Sequence, residues 1–271
     1  MDLSLNNNTE KFVSKPDPWQ AIRNFTNARI AIGRAGGSQR TESILDFRLS
    51  HAMAKDAVNS KFDTEGIKAG LNTLGLEYET LDTCISDKSS YLMNPDLGRI
   101  LNDESRAKLK GFKAKYKDCK FAIIISDGLS GNAVNAHSVI TLKYILDNLP
   151  AQDWKLYPIF LVPFARVKIQ DDISEILGAR HSMTLIGERP GLASPDSMSS
   201  YFTYTATNKT VESDRNCISN IRPEGLAPKL AGKKIAILLS QSLERKISGT
   251  ALKDNIDMAM LEAEVYNKEL Q

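Results

Sequence analysis

Short apolar runs alternate with amphipathic stretches through the middle of this chain, and that alternation constrains the fold more than any other feature. The runs are Leu76–Leu81, Phe121–Ser126, Tyr157–Val162, Met183–Gly187 and Tyr201–Ala206. Helical patterns lie between them at about 104–116, 134–149 and 171–179. In the 134–149 stretch, Val139, Leu142, Ile145, Leu146 and Leu149 keep the spacing of one buried face, and Pro150 closes it. Apolar strands separated by amphipathic helices imply a sheet covered on both faces. The expected fold is therefore α/β: a mostly parallel, Rossmann-like sheet flanked by helices, with an N-terminal helical lobe.

The lobe is expected over 17–60, after a polar, flexible arm at 1–16. Asp17-Pro18-Trp19-Gln20 has the residues of a helix start, with Asp as N-cap, Pro at the first position and Gln in the reciprocal place. Trp19, Ile22 and Phe25 share one face of that helix. A second helix begins near Thr41 and is expected to carry Ile44, Leu45, Leu49 and Ala52 inward. The α/β domain then spans 61–254, and a helical tail spans 255–271. Within 228–248, Lys234–Leu239 fits a strand, but Leu230, Ile235, Leu238, Leu239 and Ser242 suit a helix better.

Charge and cysteine usage exclude several classes of function. A formal charge of +2 on 271 residues argues against a nucleic-acid or anionic-membrane partner. The lysines from Lys108 to Lys120 read as a solvated helix face. Cys84, Cys119 and Cys217 are sparse and odd in number, with no CxxC, which fits a reducing interior and no structural zinc. The first residues lack a basic head and apolar core, and no apolar run is long enough for a membrane span. The expectation is a soluble intracellular protein.

In open α/β sheets, ligands collect beyond the carboxyl ends of the strands. The loops just past three of the runs are Asp127–Asn132, Pro163–Val167 and Glu188–Gly191, and all should open on one edge. A fourth polar segment, Asn216–Gly225, follows the last run and is expected to be a loop. Glycine, proline, paired charge and a cysteine crowd these segments more densely than turns require. Each also has a plainer reading: Asp127-Gly128 as turn chemistry, Val167 as packing, Glu188 and Arg189 as an ion pair, Cys217 as a small buried hydrophobe. Gly33–Ser38 follows a helix pattern instead of a strand, which leaves it without the context of a phosphate loop. There is no GxGxxG after a strand, GxxxxGK[ST], HExxH or GxSxG. His51, His137 and His181 are too scattered for a metal site or a relay, and the charge around Asp46, Arg48 and His51 fits a solvated face or a subunit contact. These absences favour a cofactor-binding subunit over a self-sufficient active site. The competing reading is a stand-alone nucleotide- or methyl-donor-using Rossmann-like enzyme, which needs a glycine-rich turn after its first strand.

Long motifs in a fixed order carry a resemblance. They include Ala28–Ser38, Asp46–Ala52, Ser126–Ser130, Gly187–Leu192, Ser194–Ser197 and Asn216–Gly225. With these, the chain from about 18 to 254 resembles the small subunit of ethanolamine ammonia-lyase. The resemblance implies a lyase that converts ethanolamine to acetaldehyde and ammonia through a radical, using adenosylcobalamin. By motif position it implies that Val167 in Ala-Arg-Val, Glu188 in Gly-Glu-Arg-Pro-Gly and Cys217 in Asn-Cys-Ile-Ser-Asn contact the cobalamin. It further implies a partner, the large catalytic subunit, in an assembly of six large and six small chains. The substrate site then lies on the large subunit, with no catalytic residue and no metal ligand here. An Asp-x-His-x-x-Gly signature is absent, so the expected binding is base-on with no protein ligand to cobalt. The implied location is the bacterial cytoplasm, either free or inside an ethanolamine-utilisation microcompartment.

Overall fold

The computed structural model describes residues 19–26, 28–34 and 36–269. The arm at 1–16 and the expected cap at Asp17-Pro18 lie outside the described residues. The chain divides into two compact units, Met1–His51 and Ala52–Gln271.

In the first unit the opening helix is a 3-10 turn, Gln20–Phe25, with no side-chain cap. Arg23 ties it down by donating to the carbonyls of Ile30 and Ala31, at 3.1 and 2.6 Å. Helix α1 (Thr41–Asn59) begins in this unit, and Arg29 pairs with Asp46 at 3.2 Å. Of the apolar residues expected to face inward, Ile44 is half-buried, but Leu45 and Leu49 are 58% and 62% exposed and Ala52 is exposed as well. Trp19 and Phe25 of the opening turn are 64% and 88% exposed. The periodicity marks an apolar face that is left exposed among the described residues.

The second unit is built on a six-stranded sheet of order β1-β3-β2-β4-β5-β6. Its strands are β1 (Tyr78–Thr80), β2 (Phe121–Ser126), β3 (Ile159–Leu161), β4 (His181–Gly187), β5 (Met198–Tyr204) and β6 (Asn216–Ile221). Helices α2 (Thr64–Thr73), α5 (Gly131–Asp147) and α7 (Pro228–Arg245) contribute to the larger core, with Ile123, Ile125, Leu142, Ile145, Met183, Phe202, Ile235 and Leu239. Helices α4 (Asp103–Lys115) and α6 (Ile169–Leu177) contribute to the other, with Leu109, Ala122, Ile124, Phe160, Ile173 and Leu177. The ambiguous 228–248 stretch is a helix, started by Pro228 and stopped at Lys246 with φ 56°. A short helix, α3 (Lys88–Met93), and a terminal one, α8 (Met258–Glu269), complete the set.

The sheet is mixed, which corrects the expectation of a mostly parallel Rossmann-like one. Strands β1, β3, β2 and β4 are mutually parallel, whereas β5 is antiparallel to both β4 and β6. The connections explain the reversal. A parallel crossover needs a dozen or more residues, usually a helix. The β4–β5 link, 188–197, instead closes on a Gly191–Ser194 turn in which each residue's N–H donates to the other's carbonyl. The second correction is β6 itself, expected as a loop. Only Ile218 and Ile221 of this strand are buried, and a register irregularity falls opposite them at Met198/Ser200. A polar edge strand with a bulge shows no clean alternation.

Within β4, His181 is fully buried among Phe121, Trp154 and Tyr204, with Nε2 3.1 Å from Ser242 Oγ. Burial, aided by the charge of Arg180, pushes its pKa down from 6.5 to about 3. A depressed value means that the unfolded chain takes up the proton first. The stability from neutral His181 is therefore complete above about pH 6.5 and is lost as pH falls toward 3. Urea unfolding between pH 7 and 4 should show wild type losing about 1.4 kcal/mol per pH unit relative to His181→Asn. Parallel curves for the two proteins would contradict this.

Candidate cofactor-binding site

Because β2, β3 and β4 are parallel, their carboxyl ends share one edge, as expected, and three loops meet there. Asp127, at the end of β2, is buried, and its carboxylate accepts from the Phe164 backbone N–H after β3 at 2.7 Å. Burial raises its pKa, opposed by Lys88, whose Nζ lies 3.7 Å away and donates to the Gly128 carbonyl at 3.1 Å. Asp127 is thus a strut between loops. The approach of the β2 and β4 ends is close enough to require glycine on both sides. A Cβ on Gly187 would sit 2.1 Å from the Ser130 carbonyl oxygen, and one on Gly128, at φ +53°, 2.5 Å from the Gly187 oxygen.

These loops enclose a cavity of about 400 Å³. Its walls include Tyr91, Leu129, Arg166, Val167, Ile186, Glu188, Arg189, Ser199 and Tyr201. Two of the three residues singled out in the sequence, Val167 and Glu188, therefore line one cavity. Cys217 does not line it. It lies in β6 opposite Tyr201, which does, so it borders the same surface from the neighbouring strand.

Glu188 is held firmly. Its Oε2 accepts from Ser197 Oγ, and its Oε1 accepts from Ser199 Oγ and from the Asn220 N–H at 3.3 Å. A carboxylate offers about four acceptor positions. These bonds leave Oε2 the freer oxygen for a ligand donor. No ion pair joins Glu188 to Arg189, which is exposed, so the structural-pair reading does not hold among the described residues.

Beyond α6 the second face of the sheet loses its cover. Tyr201 is half-buried, and Cys217 and Ser219 are exposed on β6. The Cys217 thiol is open to solvent, yet the bulk of β5 beside it pushes its pKa up; the Tyr201 hydroxyl opposes this and the Glu188 charge adds to it. It is a neutral thiol near pH 7, suited to contact and poorly suited to nucleophilic attack.

At the base of β6, Arg215 donates from Nη1 and Nη2 to the two carboxylate oxygens of Asp171 on α6, at 2.6 and 2.7 Å, with both side chains 1% exposed. Gln170 adjoins them: with its amide turned to the orientation its neighbours favour, its oxygen accepts from Arg215 Nη1 at 2.7 Å and its nitrogen donates to the Tyr201 carbonyl at 3.2 Å. The pair locks α6, and with it Val167, to the antiparallel half of the sheet. Sequence reasoning missed Tyr91, Ser197, Ser199 and Tyr201. The alternation in Met198–Tyr204 was the available signal, with Ser199 and Tyr201 on the face opposite Met198 and Phe202.

Comparison with known proteins gives one answer. Residues 16–253 match the model of the family described as ethanolamine ammonia-lyase light chain (EutC). A relative from Azotobacter vinelandii is 43% identical over 247 residues, covering 91% of this chain and 92% of its own. One from Pseudomonas syringae pv. tomato is 41% identical over 259 residues, 95% and 90% of the two chains. One from Xanthomonas campestris pv. campestris is 44% identical over 247 residues, 90% of each. All three are named ethanolamine ammonia-lyase small subunit.

Proposed function

The chain belongs to the ethanolamine ammonia-lyase light-chain family, and from that premise we propose that it seats adenosylcobalamin against a large catalytic subunit. The observation that carries this reading is the gathering of Val167, Glu188 and the neighbourhood of Cys217, from three separate segments, at one edge of the sheet. The residue types fit a corrin, which is a broad apolar plate rimmed with amides. Val167, Leu129 and Ile186 give an apolar wall, and Oε2 of Glu188 accepts from an amide or ribose donor. The uncovered surface of Tyr201, Cys217 and Ser219 gives a flat face on which a plate can lie.

When bound, the cofactor supplies the deoxyadenosyl radical that starts the conversion of ethanolamine to acetaldehyde and ammonia. This chain's residues hold and orient it. Val167 and Tyr201 would exclude water from its flank, Glu188 would fix its rotation through a rigid acceptor, and Cys217 would lie against it without ligating cobalt. Binding is base-on, and the substrate pocket belongs to the large subunit. The several large apolar side chains exposed in the first unit support a partner chain that would cover them. The reading carries the family's six-plus-six assembly and a bacterial cytoplasmic location, free or within a microcompartment.

The test is acetaldehyde release from ethanolamine by this chain mixed with a cognate large subunit, with and without adenosylcobalamin. Turnover that requires both chains and the cofactor supports the reading. A well-formed complex that takes up no adenosylcobalamin rejects it.

A further inference from the structure

Two arginines line the cavity with no acidic partner. Among the described residues, neither Arg166 nor Arg189 has a carboxylate within ion-pair distance. Arg189 is exposed at the mouth. Arg166 is the more constrained. Its guanidinium lies 4.0 Å over the Tyr91 ring, and its Nη2 donates to the Tyr91 carbonyl at 2.8 Å. Its backbone N–H donates to the Gly98 carbonyl at 2.7 Å, which fixes where the side chain leaves the chain. Yet its Nε is buried and unpartnered. A buried charged donor without an acceptor is costly and rare, and a guanidinium packed over an aromatic ring is held in place with its fork pre-formed. Val167, next to Arg166 in the chain, lines the same cavity, so the backbone at this point runs along its wall.

The chemistry that completes such a site is a tetrahedral oxyanion with two adjacent oxygens, because planar forks recognise phosphate in that way. In adenosylcobalamin the corrin side chains are neutral amides, and the nucleotide tail carries one anionic phosphodiester. We propose that Arg166, with Arg189 at the mouth, binds that phosphodiester. This inference rests on the adenosylcobalamin reading above and adds to it an orientation: the nucleotide tail enters the cavity, while the corrin lies on the open face beside Tyr201 and Cys217. Glu188, between the two, takes donors and not the phosphate.

Three probes separate the phosphate from the rest of the molecule: adenosylcobalamin, adenosylcobinamide phosphate and adenosylcobinamide, which lacks both phosphate and base. Each is titrated by its visible absorbance into the complex of this chain with its large subunit. Arg166→Met, which keeps the aliphatic stem over Tyr91, should weaken the two phosphate-bearing probes about 10- to 100-fold and change adenosylcobinamide less than about twofold. Equal weakening of all three would reduce Arg166 to a packing role and overturn the proposal, as would no change in any. Arg166→Lys, which keeps the charge but not the fork, provides the same contrast if the methionine variant fails to assemble, with a smaller loss confined to the phosphate-bearing probes. A wild-type complex that binds none of the three rejects the cofactor reading itself, an outcome distinct from these.

Discussion

Arg215→Ala should lower the unfolding free energy by about 3–5 kcal/mol, the usual cost of removing one partner from a buried ion pair. The loss comes less from the missing attraction than from what remains. Asp171 is 1% exposed, and without Arg215 both of its carboxylate oxygens lose their bidentate donor, while Gln170 loses a partner as well. Burial already drives the Asp171 carboxyl above the usual carboxylate range, against the pull of Arg215. With the guanidinium gone only Lys168, whose Nζ lies 4.0 Å from the carboxylate, still opposes that drive, and the carboxyl takes up a proton in the folded state before it would in the unfolded chain. A raised folded value gives stability that is present at low pH and lost as pH rises. The deficit against wild type should therefore narrow as pH falls from 7 toward 4. Urea unfolding at several pH values checks both parts; a deficit under 1 kcal/mol at pH 7 would mean that the pair is not the lock between α6 and β6.

Glu188→Ala should raise the apparent adenosylcobalamin constant of the assembled complex about 10- to 100-fold, as expected for a lost hydrogen bond to a charged acceptor. Assembly with the large subunit should survive, because Glu188 sits in a loop whose backbone bond, from its N–H to the Ser197 carbonyl at 2.9 Å, does not need the side chain. Glu188→Gln keeps one acceptor for the hydroxyls of Ser197 and Ser199 and should fall between the two. Binding titrations with assembly followed by gel filtration decide the matter. Unchanged affinity in a fully formed complex would remove Glu188 from the site.

The parts of the fold that were legible in the sequence are those buried on both faces. Phe121–Ser126 is six consecutive buried residues and reads as a strand from either side. Strand β6 was harder because only Ile218 and Ile221 of it are buried. Met198, Phe202, Ile218 and Ile221 belong to the larger core, while Ser199, Tyr201, Cys217 and Ser219 put polar and thiol groups on the opposite face of the two strands. In β6 that polar, exposed face erased the strand pattern, whereas the run Tyr201–Ala206 still marked part of β5. Tyr91 was invisible for another reason. Its helix is only Lys88–Met93, too short to show a period, and it is held by long-range bonds from Tyr91 to the Ala165 carbonyl and from Arg166 to the Tyr91 carbonyl. In the first unit an apolar face was legible, but periodicity says that a face needs cover and not which chain provides it. Val167 and Glu188 were reachable both as strand-end residues and by resemblance. Cys217 was reachable by resemblance, though placed in a loop and found in a strand.

The most direct test of the cofactor seat is the alkylation rate of Cys217 in the complex with the large subunit, followed by mass spectrometry with and without adenosylcobalamin. Cys84, exposed and outside the cavity, is the internal reference. Adenosylcobalamin should slow the modification of Cys217 and leave Cys84 unchanged. Equal rates at Cys217 with and without the cofactor, in a complex that turns over ethanolamine, would place the cobalamin elsewhere.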